Sequence, residues 1–283
     1  MHVCIKQVKS MKGIIYYCSN TGNTELVCKF ISQQLKNVKL ELSDIKGQMN
    51  ADISSYDIVG FAFPTHYLGL PREMREFIEC LKCDQQKNIF LINTYGMMQG
   101  KSLKLVGKLL DKKGFRVVSW HALMMPESYP PFLAKGITSN DKPDEKQIKA
   151  FDDFISNLSK KIDEINNGTI PKESKIKIGF FNSILGEKSI EKNRKEMKDL
   201  NIDVSLCNQC GRCVEYCHYN AISMGEKPVI NFNQCQGCWS CFNHCPHGAI
   251  HTEKIKSSNR YNIPQDNVFV RLANDDSRGG FAK

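Results

Sequence analysis

The sequence predicts an α/β chain in which a doubly wound parallel sheet of five strands is followed by a small α+β domain built around cysteines. Three observations carry that expectation. Five short apolar runs, at 13–18, 38–42, 57–63, 88–93 and 115–120, alternate with helical patterns. Parallel strands require this, since each crossover must bring the chain back to the same end of the sheet. Between the first run and the first helical pattern lies a loop of hydroxyl and amide side chains, Ser19-Asn20-Thr21-Gly22-Asn23-Thr24. Near the C-terminus the spacing C-x2-C-x2-C-x3-C occurs twice. Cys207, Cys210, Cys213 and Cys217 recur 28 residues later as Cys235, Cys238, Cys241 and Cys245, and Ala221-Ile222 recurs as Ala249-Ile250. A repeat that regular points to a duplicated unit.

The 283 residues give room for one medium domain and one small one, and the 41% apolar share is ordinary for a globular protein. No apolar run reaches the length of a membrane span, and the first residues lack the apolar stretch of a secretory signal. The expectation is a cytoplasmic protein without a membrane span. Thirteen cysteines, eight of them in the repeat, then indicate metal chemistry rather than a disulfide framework. The net charge of +9 forms no long single-sign block, and no nucleic-acid motif accompanies it. The lysines read as solvated surface, with weak attraction to an acidic redox partner as the other reading.

Taken in order, the first ten residues are unpatterned and Met11 is a candidate start. The strand at 13–18 feeds the polar loop and then a helix with apolar positions Leu26, Val27, Phe30, Ile31 and Leu35. The loop therefore sits at a helix N-terminus, where unpaired N–H groups and the positive dipole end favour an anion. Gly22 lets the backbone approach closely, Ser19, Thr21 and Thr24 offer hydroxyls, and Asn20 and Asn23 offer amides. No lysine or arginine is present, so an anion would rest on neutral donors. An ordinary helix cap needs one such residue; here five of six positions supply one.

Strands at 38–42 and 57–63 follow, the second leaving through Pro64-Thr65-His66-Tyr67-Leu68-Gly69. A helix at 72–81 leads to the strand at 88–93 and its exit loop Thr94-Tyr95-Gly96-Met97, and a helix at 101–112 leads to the strand at 115–120. The proline- and tyrosine-rich 124–131 is expected near a ligand edge or domain junction. The closing helix spans 143–165, with Ile148, Phe151, Phe154, Ile155, Leu158 and Ile162 on one face and Gly168 past its end. The expected parts are thus 11–167, a charged and partly helical connector at 168–202 (helix around 188–200), the cysteine domain at 203–255, and a polar tail at 256–283. That tail either wraps over the first domain or stays unpacked. Gly96-Met97-Met98-Gln99-Gly100-Lys101-Ser102 is one residue short of a P-loop. Cys80-x2-Cys83 has no partner pair, and Cys80 is expected to pack in the core. Cys4, Cys18 and Cys28 join no constellation.

The cysteine spacing has a chemical reading. Three cysteines two residues apart on a turning loop reach three corners of one cubane, and the fourth in each run ligates the other cluster. Cys207, Cys210, Cys213 and Cys245 are therefore assigned to one [4Fe–4S] cluster, and Cys235, Cys238, Cys241 and Cys217 to the second. Zinc would need four ligands and leaves no reason for the rest of each run. Clusters near solvent favour an anaerobic or strongly reducing setting.

Residues 203–255 resemble the two-cluster bacterial ferredoxins. One departure is His218, which follows Cys217 where the family has proline; Cys245-Pro246 keeps it. Losing proline restores a backbone donor and changes hydrogen bonding near a sulfur; the plainer reading is a tolerated turn residue. The loop at 19–24 resembles the flavodoxin phosphate loop, [ST]-x-T-G-x-T, at every motif position. The strand–helix alternation matches flavodoxin topology, order 2-1-3-4-5, in which ligands sit at the carboxyl ends of the strands.

About residues 13–255 thus resemble fusions of a flavodoxin-like domain with a two-cluster ferredoxin. That implies FMN and two [4Fe–4S] clusters in one electron-transfer protein. FMN is preferred to FAD because there is one phosphate site and no G-x-G-x-x-G. By resemblance, Pro64, Thr65, His66, Tyr67, Thr94, Tyr95 and Gly96 flank the flavin ring. Tyr95 is the stacking candidate, Tyr67 is open between stacking and packing under the next helix, and His66 reads as a polar loop residue.

Neither ring loop carries a carboxylate. One acid at ~10 Å, at an effective dielectric near 20, would oppose the anionic reduced flavin by roughly 1.7 kcal/mol, about 70 mV for one electron. The expectation is a flavin that is comparatively easy to reduce fully. Two functions fit. One is a carrier serving redox proteins such as ferredoxin-dependent oxidoreductases; the other is a reductase whose clusters feed the flavin, which reduces a quinone or another flavin. A redox sensor is the third reading.

Overall fold

The computed structural model describes residues 11–83, 85–184, 186–187, 189–197, 200–263 and 267–270. Cys4 lies outside them. Strands β1 (Lys12–Tyr17), β2 (Lys39–Asp44), β3 (Ile58–Pro64), β4 (Asn88–Tyr95) and β5 (Arg116–Met124) form one sheet in the order β2-β1-β3-β4-β5. Every neighbouring pair is parallel, with Ile15 opposite Leu42 and Gly60, and Ala62 opposite Ile92. The order reverses between β1 and β3, where the exit loops of the strands splay apart.

Both faces of the sheet are covered, which is why β3 is an almost unbroken apolar run. One face packs against α1 (Asn23–Gln34) and the long helix α5 (Glu145–Asn166). The other packs against α2 (Arg72–Cys80) and α3 (Ser102–Lys112). A reciprocal cap between Asp144 and Gln147 starts α5, whose buried stripe is Phe151, Phe154, Ile155, Leu158 and Ile162.

Two details depart from the sequence reading. β5 runs on to Met124, carrying a bulge where Val118 is an extra residue between the Val117–Ile89 and Ser119–Phe90 pairs. His121, polar in sequence, packs beside Phe151 and Phe154, and burial lowers its pKa to about 4. Cys80 lies off the stripe of Met74, Phe77 and Ile78 and is only half-buried. The apolar phase continues to Leu81 instead.

After the short helix α4 (Pro130–Leu133), which precedes α5, the chain leaves α5 along an extended strap. Ser174 N–H donates to Val117 O at 2.7 Å, Trp120 Nε1–H donates to Lys175 O, and Ile176 and Ile178 pack on the α2–α3 side. Helices α6 (Phe180–Ile184) and α7 (Ile190–Glu196) stand where one connector helix was expected, with 188, 198 and 199 outside the described residues.

The cysteine domain has two small antiparallel pairs, β6 (Asn201–Ile202) with β9 (Ile250–His251) and β7 (Ile222–Met224) with β8 (Pro228–Ile230). Helices α8 (Arg212–Glu215) and α9 (Ser240–Asn243) occupy matching places in the two halves. Tyr216 and its repeat counterpart His244 stack with ring centroids 3.7 Å apart. The described tail wraps over the first domain. Tyr261 OH donates to Asn23 Oδ1 at 2.7 Å, and Phe269 enters the core beside Phe30 and Phe151.

Candidate functional site

The exit loops of β1, β3, β4 and β5 enclose a cleft of about 1030 Å³, part of it open to solvent. Asn20, Thr21, Asn23 and Thr24 line one end; Pro64, Thr65, His66, Tyr67, Thr94, Tyr95 and Gly96 line the middle. At the end formed by the loop after β1, Gly22 caps α1 with φ 90°. Of the first N–H groups of this 12-residue helix, that of Glu25 meets Ser19 Oγ, while Gly22 itself offers no side-chain acceptor.

The structure divides the six loop residues by task. Ser19 Oγ accepts from Glu25 N–H, and Asn23 is held from both ends, donating to Pro126 O and accepting from Tyr261 OH. Thr24 and Thr94 hydroxyls share a 2.8 Å bond that ties β1's loop to β4. Thr21 and Asn20 also line the cleft, and Asn20 Oδ1 is buried without a hydrogen-bond partner. No lysine or arginine lines the cleft among the described residues.

The near P-loop serves the walls. Thr65 Oγ1 donates to Gln99 O, Lys101 N–H to Leu68 O and Ser102 Oγ to Gly69 O. Gly100, at φ 60°, lies so close to Leu68 that an added Cβ would sit 2.3 Å from its carbonyl oxygen. This stretch spends its backbone binding the β3 loop, so it is no phosphate cradle. Burial lowers His66 to about 4, and its Nε2 has no partner. It adds no positive charge near neutral pH.

Two further walls close the cleft: the loop after β5, at the ligand edge where 124–131 was expected, and a segment of the cysteine domain that was not expected there. From the β5 loop come Met125, Glu127, Ser128 and Tyr129. Glu127 is 7% exposed and accepts from Met97, Ser128 and Tyr129 N–H groups at 2.8–2.9 Å. The expectation of a cleft without a nearby acid followed from two loops alone; a third loop brings one in. From the cysteine domain come Gly237, Cys238 and Trp239. Tyr67 OH donates to Gly237 O at 2.9 Å, Ser240 Oγ to Asn20 O at 3.0 Å, and Tyr129 meets Trp239 edge-on. Tyr67 thus joins the domain junction as well as the cleft.

Each set of four cysteines lines a separate cavity of about 340 Å³. Cys207, Cys210, Cys213 and Cys245 surround one, with Cys210 exposed; Cys217, Cys235, Cys238 and Cys241 surround the other, beside Trp239. Among the described residues, no three such side chains converge as a single metal ion demands. Thiols spread around a cavity suit a cubane, whose iron corners each take one ligand. Burial raises the thiols of Cys213, Cys235, Cys238 and Cys241, so binding iron there releases protons. Two sulfurs already accept backbone bonds, Cys217 from Ala221 N–H and Cys235 from Gly237 N–H. His218 turns away toward α2, where Tyr219 OH donates to Glu73 Oε2 and burial raises the Glu73 carboxyl.

Comparison with known proteins finds two family matches in the chain. Residues 14–121 match the family model of a flavodoxin domain, and residues 206–249 match that of a 4Fe-4S dicluster domain. A flavodoxin of Haemophilus influenzae is 40% identical over 55 residues, 19% of this chain and 32% of that protein. Flavodoxin 1 of Escherichia coli K12 is 38% identical over 55 residues, 19% of this chain and 31% of that protein. The chain therefore spans about a third of the length of these curated relatives. Among solved structures, the flavodoxin of Streptococcus pneumoniae TIGR4 aligns with TM-score 0.39 and 18% identity, over 54% of this chain and 99% of that one. The rubredoxin oxygen:oxidoreductase of Desulfovibrio gigas aligns with TM-score 0.41 and 14% identity, over 54% and 36%. A flavodoxin domain implies FMN, and a dicluster domain implies two [4Fe–4S] clusters. No described helix is long and apolar enough to cross a membrane.

Proposed function

We propose that this chain, a flavodoxin domain joined to a 4Fe–4S dicluster domain, passes electrons in line between a redox partner protein, an outer cluster, an inner cluster and FMN. One observation carries the reading: Cys238 and Trp239 line both the flavin cleft and the inner cysteine cavity. The two sites are adjacent because the domain junction is built from the residues that enclose them.

Thr21, Asn20 and the open N-terminus of α1 would hold the phosphate through neutral donors and the helix dipole. Tyr95 and Tyr67 would bound the ring, and Glu127 would fix the loop after β4 through Met97 N–H. Cys217, Cys235, Cys238 and Cys241 would hold the inner cluster, and Cys207, Cys210, Cys213 and Cys245 the outer one. When bound, these groups supply one-electron exchange at the clusters and one- or two-electron exchange at the flavin. The chain would hold them in adjacent sites, with buried Trp239 packed between cleft and inner cage, and would leave the outer cage for exchange. The domain that carries exposed Cys210 also exposes Val204, Leu206, Met224 and Val229, apolar side chains that would serve a partner such as a ferredoxin-dependent oxidoreductase.

The test is anaerobic purification with iron, sulfide and flavin analysis, followed by rapid-mixing reduction. The expected outcome is about eight irons from two cubanes, one FMN, and cluster bleaching that precedes flavin bleaching when a reduced ferredoxin-type protein is the donor. Colourless or zinc-loaded protein rejects the reading. Turnover of a quinone or free flavin far above that of FMN alone would replace the carrier with a reductase.

A further inference from the structure

The duplication contains its own control. In each half the residue after the second cysteine has left-handed backbone and caps a short helix: Gly211 at φ 76° before α8, and Trp239 at φ 62° before α9. Glycine takes this conformation without steric penalty, whereas a bulky aromatic residue does so rarely. Trp239 is also 2% exposed, and its indole Nε1 has no hydrogen-bond partner. A buried donor left unpaired is a second penalty at the same position. Its counterpart Gly211 bears neither.

The surroundings show where the missing acceptor belongs. Trp239 lines the flavin cleft on one side and the inner cysteine cavity on the other, held edge-on by Tyr129 and Phe242 at 6.4 and 5.5 Å between centroids. In the inner cage, Cys217 and Cys235 sulfurs already accept backbone N–H groups. A flavin ring presents carbonyl oxygens and ring nitrogens, stronger acceptors than a sulfur.

We propose that Trp239 is the cluster domain's own binding contact to FMN. Its Nε1–H donates to a polar atom of the flavin in the cleft, while its ring fills the space between cleft and inner cage. This rests on the FMN reading above. It makes flavin affinity depend on a residue outside the flavodoxin domain.

The experiment uses the full chain with both clusters loaded, titrated with FMN under anaerobic conditions. W239F keeps a ring and removes the donor. Loss of one neutral hydrogen bond predicts about fivefold weaker FMN binding, with iron content and cluster midpoints unchanged. W239H restores a ring N–H on a residue that tolerates left-handed backbone better, and recovers most of the affinity. Should W239F fail to load clusters, ultraviolet resonance Raman reads indole hydrogen bonding directly in a W120F background, and FMN addition must shift the Trp239 signal. Equal FMN affinity in W239F, or an unshifted indole signal, overturns the proposal. So does unchanged affinity with a displaced inner-cluster midpoint, which would assign the N–H to the cluster. Unaltered wild-type protein that takes up no FMN sinks the underlying reading itself.

Discussion

The first cysteine motif and the second share spacing, helix caps and cavity size, yet they face different worlds. Cys210 is exposed, and the same domain also exposes Val204, Leu206, Met224 and Val229. Its counterpart Cys238 is half-buried and lines both the cleft and the inner cavity, and burial drives its thiol well up. Gly211 would meet nothing within 4 Å if it carried a Cβ, while Trp239 is buried between two cavities. A duplicated unit thus makes two equivalent cages, and docking one half on another domain makes them unequal. The spacing sets what each cage can hold; the contacts set whom it can serve.

The two halves should differ most at their ligands. C210S is expected to lose about half of the iron while FMN binding stays intact, because its cage does not border the cleft. C238S is expected to lose the same share of iron and also to slow flavin reduction by the remaining cluster, since it empties the adjacent cage. Iron analysis and rapid-mixing spectroscopy check both; equal effects on the flavin would make the two halves interchangeable.

Next in size is the phosphate loop. Replacing Thr21 with valine removes a hydrogen bond to a charged group, a loss of about 1.5–3 kcal/mol, so FMN affinity should fall by at least roughly tenfold. Riboflavin, which lacks the phosphate, should bind wild type and T21V alike in fluorescence titration. Equal losses for both ligands would remove Thr21 from the phosphate site.

Glu127 gives the third effect, and it revises the expectation of an easily reduced flavin. If its carboxylate lies ~10 Å from the ring, E127Q should raise the couple that forms the anionic reduced flavin by about 70 mV. Anaerobic redox titration checks this; a couple unmoved by the change would show the charge to be spent on its three backbone donors. The smallest effect belongs to Gly211. G211A meets no neighbour but must hold left-handed backbone, so it should destabilise the outer half by about 1 kcal/mol, read from denaturation of the loaded protein.

Much of the site was legible in local sequence because its chemistry is local. The helix N-terminus at Asn23 and the two cysteine runs place their donors within a turn or two of chain, so spacing alone brings them together. The strands could be read because a sheet covered on both faces must be apolar throughout. The end of β5 was hidden for the opposite reason: His121 packs against aromatics that lie 30 and 33 residues away in sequence. Cys80 misled because a single turn at a helix end carries too little periodicity to fix its phase.

The sequence by itself determined the kinds of residue cluster in this protein: a polar loop without lysine or arginine at a helix N-terminus, and two crosswise sets of four thiols. Only the tertiary structure decided their arrangement. Which cage abuts the cleft and that Trp239 stands at the boundary depend on contacts between segments more than a hundred residues apart, such as Tyr67 with Gly237 and Asn20 with Ser240, and the entry of Glu127 depends on its bond to Met97, 30 residues away. Contacts of that range leave no periodic trace in the chain, because the partners are chosen by packing rather than by spacing.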